Sequence, residues 1–179
     1  MPPLVLHKLS IHCEHPHLDY YSPSKEPNLT TFPTVLVGGT FDRLHNGHRL
    51  LLHCAALSCS GKLIVGITED DFVQDKTHSS HIQSFQQRCG SVQSFLTDVA
   101  PRVLIELLPL SDDAGPALLI SDAMIIASEE TIDSVYRINE KRKTRGLPAL
   151  DIRVVGSLMV GDDVKLSSSW LRNLEVKAE

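Results

Sequence analysis

From Thr34 onward, short runs of branched apolar residues alternate with longer stretches whose apolar residues recur at helical spacing. Val35–Val37, Leu63–Ile67, Val103–Leu108, Ala123–Ala127 and Ile152–Val155 read as strands, too continuously apolar to face water. Between them, His48–Ser58 reads as a helix with leucines inward, and Ser84–Val99 as one with Phe85, Cys89, Val92 and Phe95 on its inner side. Glu130–Thr144 reads as a polar helix with Ile132, Val135, Tyr136 and Asn139 along one side. Pro101 stops the second helix, Gly146 and Pro148 stop the third, and a last short helix follows Ser167–Ser169. Strands this apolar are buried on both faces. The pattern predicts an α/β fold, a parallel five-stranded sheet with helices on both faces.

Residues 34–179 form one such domain. Residues 1–33, rich in proline and histidine, read as an irregular, partly disordered leader with one short strand at Leu4–Leu9. Its His12, Cys13, His15 and His17 make a metal-capable composition, for which a flexible tail is the simpler account. The formal charge of -5 argues against a general nucleic-acid binder. No apolar run approaches the roughly 20 residues of a membrane span, and the amino terminus lacks the basic and apolar regions of a secretory signal. Cys13, Cys54, Cys59 and Cys89 form no CxxC pair, which makes a reduced, cytoplasmic setting the expectation. Cys54 reads as a small core residue and Trp170 as a core anchor.

Open parallel sheets bind ligands beyond the carboxyl ends of their strands. The stretch TVLVGGTFDRLHNGHRLLLHCA, Thr34–Ala55, puts Gly38 and Gly39 at such an end, followed by a helix amino terminus. Glycines let backbone N–H groups approach a ligand, and the helix adds unpaired donors, so the junction suits an anion. It is neither a GxGxxG fingerprint nor a Walker loop. His45 and His48, at i and i+3, would face one way and donate to phosphate oxygens, with Gly47 leaving room for a nucleotide. Zinc would need a third ligand, and none is obvious nearby; two surface histidines at a helix start are the other plain account. The segment DDVKLSSSWLR, Asp162–Arg172, supplies hydroxyls and helix amides at Ser167, Ser168 and Ser169, with Arg172 a turn later. A simple serine cap competes with phosphate binding there, and Asp162 with Asp163 reads better as a solvated turn than as Mg²⁺ ligands.

Together these motifs resemble the Rossmann-like nucleotidyltransferase superfamily with a GTFDxxHxGH signature and a later ISST-like segment. Within it the chain is most similar to phosphopantetheine adenylyltransferases of the eukaryotic and archaeal type. The likeness runs through VGGTFDRLHNGHRLLL, LIVGITEDDFVQDK, PLSDDAGPAL, IIASEETIDSVYRINEKRKTRGLPALDI and VKLSSSWLR, from about Val35 to Arg172. The resemblance implies transfer of AMP from ATP to 4'-phosphopantetheine, giving dephospho-CoA and pyrophosphate, with Mg²⁺ accompanying ATP. It implies catalytic roles for His48, Lys76 and His45, and substrate or ATP contacts for Gly38, Gly39, Thr40, Phe41, Ser128, Glu129, Ser167, Ser168, Ser169 and Arg172. No metal-binding residues are implied. A dephospho-CoA kinase acting in the same pathway is the implied partner; no kinase P-loop follows Arg172. Ser134 and Val135 stand where relatives often have two glycines, and Ser169 where many have threonine. The alternatives are a cytidylyltransferase for a small phosphorylated alcohol, a class I aminoacyl-tRNA synthetase fragment (HNGH and KLSSS echo its HIGH and KMSKS), and a nucleotide-binding relative without activity.

Overall fold

The structure, a computed structural model, describes residues 30–160 and 164–178. The leader strand, the leader histidines with Cys13, and Asp162 with Asp163 lie outside the described residues. In chain order the elements are β1 (Phe32–Gly39), α1 (Asn46–Leu57), β2 (Cys59–Thr68), α2 (Phe85–Val99), β3 (Leu104–Leu110), β4 (Met124–Ser128), α3 (Ile132–Thr144) and β5 (Asp151–Val155). A small hairpin, β6 (Met159–Val160) with β7 (Val164–Lys165), precedes α4 (Ser168–Val176). Strands β1–β5 form one parallel sheet in the order β3-β2-β1-β4-β5.

Strand alternation explains why both faces are covered. Val35, Val37, Leu63, Val65, Ile67, Met124 and Ile126 point to one side, where they meet Leu51, Leu52 and Ala55 of α1 and Val92 and Leu96 of α2. Leu36, Ile64, Ile125 and Ala127 point to the other, against Ile132, Val135 and Ile138 of α3 and a 3₁₀ turn at Gly115–Leu118. Each large aliphatic side chain buried this way contributes on the order of 1.5–3 kcal/mol. Pro109 is tolerated in β3 because that strand is an edge of the sheet.

Several expectations shift. β1 starts at Phe32 rather than Val35, because the Phe32 N–H donates to the Ser58 carbonyl at 2.8 Å. α3 buries Ile132, Val135, Ile138 and Arg142, while Tyr136 is 40% exposed. Asn139 is half-buried as a polar brace, its side chain bonding both the N–H and the carbonyl of Leu150. Arg142 is wholly buried without an acid, its guanidinium donating to the carbonyls of Ala117, Ile120, Ser121 and Pro148. Trp170 is only half-buried, and the buried residue of α4 is Arg172. Cys54 packs, half-buried, against the first cluster.

Candidate active site

In this strand order the chain leaves β1 first toward β2 and β3, then crosses back to β4 and β5. The crevice beyond such a reversal is where open α/β sheets bind ligands. Here it lies past Gly39 and Ser128, and a cleft of about 590 Å³ opens there. Its wall takes in Gly38, Gly39, Thr40, Phe41, His45, His48, Lys76, Ser128, Ser167, Ser168, Ser169 and Arg172, which the sequence holds far apart. Glu129 is not on that wall. Its carboxylate accepts from the Ser157 N–H at 3.2 Å, and the neighbouring Glu130 lines the cleft instead.

The β1–α1 connection is a strained turn with a polar exit. Phe41 and Arg43 have φ of 54° and 48°, a region that costs a non-glycine residue roughly 1–2 kcal/mol. Burial of the Phe41 ring and the bonds around Asp42 hold the turn in place. The fully buried Asp42 carboxylate accepts from Arg172 Nη1 at 2.6 Å, Arg43 Nη1 at 2.9 Å and the Gln83 N–H at 3.0 Å. A Cβ on Gly39 would stand 3.2 Å from the Phe41 ring, so glycine is what lets that ring pack underneath.

The turn delivers His45 as the N-cap of α1 rather than as a residue on the helix. Its Nδ1 accepts from the Gly47 N–H at 3.2 Å, and its ring stacks on His48 with centroids 3.9 Å apart. Gly47 makes room for that ring, since a Cβ there would lie 3.0 Å from the His45 Cε1, and it also lines the cleft. Burial, reinforced by His45 alongside, lowers the His48 pKa to about 3. His45 is lowered too, again chiefly by burial. Both imidazoles are therefore neutral near pH 7. His45 Nε2 and His48 Nδ1 are buried without a hydrogen-bond partner among the described residues. Orphaned polar atoms cost about 1–3 kcal/mol each when nothing bonds them, and here they belong to two rings that line a ligand-sized cleft.

Beside them, Lys76 Nζ reaches Thr40 Oγ1 at 2.9 Å, and Thr68 Oγ1 donates to the same hydroxyl at 3.1 Å. Loss of water around the ammonium lowers the Lys76 pKa, and the cations Arg172 and Arg88 add to it. Arg88, fully buried on α2, donates to the carbonyls of Thr40 and Thr68, both at 2.8 Å, and to Asp70 at 2.7 Å. It pins the two strand ends that carry the threonines.

The second motif is arranged differently from the expectation. Ser167 caps α4 by accepting from the Trp170 N–H, and Ser168 Oγ donates to the Asp42 carbonyl at 2.7 Å. Arg172, expected on a triphosphate, directs its guanidinium at Asp42, at the Thr77 carbonyl (3.1 and 2.9 Å) and at Ser169 Oγ (3.0 Å). It is 1% exposed because these acceptors surround it. Across the cleft, Lys165 pairs with Glu130 at 2.5 Å. Sequence reasoning missed Asp42, Thr68, Arg88, Glu130 and Lys165; the first stands inside the GTFD run, and the others have no local signature.

The chain matches the cytidylyltransferase-like family over residues 36–174. It is 39% identical over 146 residues to phosphopantetheine adenylyltransferase of Methanopyrus kandleri, covering 80% of this chain and 91% of that one. It is 34% identical over 148 residues to the protein of the same name from Saccharomyces cerevisiae, covering 80% of this chain and 48% of the yeast chain. A protein of unknown function from Archaeoglobus fulgidus shares the fold, with a TM-score of 0.59 and 24% identity over 68% of this chain and 88% of that one.

Proposed function

The chain belongs to the cytidylyltransferase-like family and, within it, to the phosphopantetheine adenylyltransferases, and from that membership we propose its reaction and the roles of its residues. It joins the phosphate of 4'-phosphopantetheine to the adenylyl group of ATP, the penultimate step of coenzyme A biosynthesis. An oxygen of the acceptor phosphate attacks the α-phosphorus in line, the bond from that phosphorus to the bridging oxygen breaks, and pyrophosphate leaves with the electron pair. The attacking group is already an anion, so no base is needed.

The observation that carries this reading is the pair of stacked, neutral imidazoles with unpartnered buried nitrogens at the sheet's reversal point. Such donors stabilise charge as it grows on the bridging oxygen without reorganising. Lys76 and Thr40 form the adjoining phosphate site, with Gly38 and Gly39 allowing close approach. Free amides at the α4 amino end address the triphosphate, while Arg172 orients Ser169 and the Lys76 loop from behind. In this proposal Mg²⁺ travels on the phosphates of ATP. No described helix is long and apolar enough to cross a membrane. In this proposal the reaction is cytoplasmic and its product passes to a dephospho-CoA kinase.

Pyrophosphate release tests the proposal. Release from ATP should depend on 4'-phosphopantetheine, with little from CTP and phosphocholine. Equal turnover with the second pair would overturn the substrate assignment, and ATP binding without release would overturn catalysis.

A further inference from the structure

The cleft presents a mismatch of charge. A nucleoside triphosphate brings several negative charges, yet the imidazoles at its centre are neutral and two of the nearby arginines are fully engaged. Arg172 is bonded to Asp42, Thr77 and Ser169, and Arg88 to Asp70 and three carbonyls. Lys76 is one cation that reaches the cleft, and Lys165 is a second. Lys165 ends β7, two residues before the Ser167 cap of α4, and its side chain is 30% exposed. Lys165 and Glu130 line the cleft together with His45, and their charges act on that imidazole in opposite senses. Glu130, the partner of Lys165 in the structure, has a side chain 64% exposed and free to swing into water.

We propose that Lys165 is a further phosphate ligand of this site and that Glu130 is its stand-in counter-ion, displaced when the β- and γ-phosphates of the nucleotide arrive. The inference rests on the adenylyltransferase reading for the identity of the nucleotide, and on the geometry alone for the polyphosphate. An ion pair this open to water contributes little stability, so it can be exchanged at small cost. A phosphate offers more charge and more acceptors than a carboxylate, and a lysine can follow it as a point charge. The carboxylate meanwhile keeps Lys165 extended over the cleft and repels anions that cannot displace it. The neighbouring Glu129 is bonded elsewhere, to the Ser157 N–H just ahead of the hairpin.

The test uses the full chain and two probes, inorganic tripolyphosphate for binding and ATP with 4'-phosphopantetheine for turnover. Lys165→Gln should weaken tripolyphosphate binding and raise the KM for ATP about tenfold, with the KM for 4'-phosphopantetheine unchanged. Lys165→Arg should restore most of the loss. Glu130→Gln should tighten tripolyphosphate severalfold, and should do nothing in the Lys165→Gln background. Unchanged thermal unfolding in all four proteins is expected, and a Lys165→Gln protein that binds tripolyphosphate within twofold of the parent overturns the proposal. So does a Glu130→Gln protein that binds more weakly. Polyphosphate binding that depends on Lys165 in a protein with no adenylyl transfer would sink the catalytic reading and leave this inference standing.

Discussion

Two regions bring histidine, serine and arginine to the same cleft, and the structure uses them in opposite ways. At the β1–α1 junction, His45 and His48 line the cleft and each keeps a buried ring nitrogen without a partner among the described residues, and Lys76 reaches Thr40 at the rim. At the start of α4, Ser167, Ser168 and Arg172 bond to protein groups, and Asp42 ties that helix back to the first junction. The first region is chemistry waiting for a partner; the second is mostly scaffold that sets where the first can act. A donor motif in a sequence says which atoms are available in principle. Whether they remain available depends on what folds against them.

The contrast is most exposed at Arg172. Arg172→Met should destabilise the protein by about 3 kcal/mol, read from urea unfolding, because it takes the shortest of its partners from the buried Asp42 carboxylate and leaves it to Arg43 and the Gln83 N–H. Adding Asp42→Asn should recover part of that loss. If Arg172→Met instead keeps its stability and loses ATP binding, the residue is a ligand and the contrast fails.

On the other side, His48→Ala should keep its circular dichroism spectrum and its affinity for ATP while kcat falls ~10²–10³-fold. Near-parental kcat would remove the imidazole from the mechanism. Lys76→Ala should lower turnover by about tenfold or more, with a melting temperature close to that of the parent, since the side chain bonds a single hydroxyl at the rim. Unfolding of that variant would make the lysine structural.

Acid should probe the same imidazole through stability. Between an ordinary histidine pKa of about 6.5 and the folded His48 value of about 3, the unfolded chain takes up a proton that the folded protein refuses. Stability contributed in this way is present above that window and lost as pH falls through it. His48→Asn should therefore lose less stability than the parent between pH 6.5 and 4, and equal losses would show that His48 is not desolvated. The smallest effect belongs to Gly47→Ala, whose Cβ crowds the His45 ring: kcat should drop a fewfold with thermal unfolding almost unmoved. A fully active variant would show that the stacking of the two rings is dispensable.

The fold was legible because burial leaves a periodic trace. β1, β2 and β4 alternate between two buried faces, and their β-branched runs are local facts of composition. The β6–β7 hairpin left no such trace, since each strand has two residues and neither faces a core. α3 misled for a related reason: Tyr136 looks apolar in the pattern, whereas the helix buries the stem of Arg142 and lets carbonyls satisfy its charge.

At the site, the sequence by itself determined the residue types and one local arrangement: glycines after a strand, then two imidazoles at a helix start. Chain connectivity keeps those within a few residues, so short-range geometry suffices to bring His45 onto His48. Only the tertiary structure decided the rest. Arg172 meets Asp42 across 130 residues of sequence, Arg88 meets the Thr40 carbonyl across 48, and Lys165 meets Glu130 from a separate hairpin. A guanidinium has five donors and no memory of its neighbours in the chain. It bonds whatever acceptors the packed fold places around it, and here those acceptors belong to the protein.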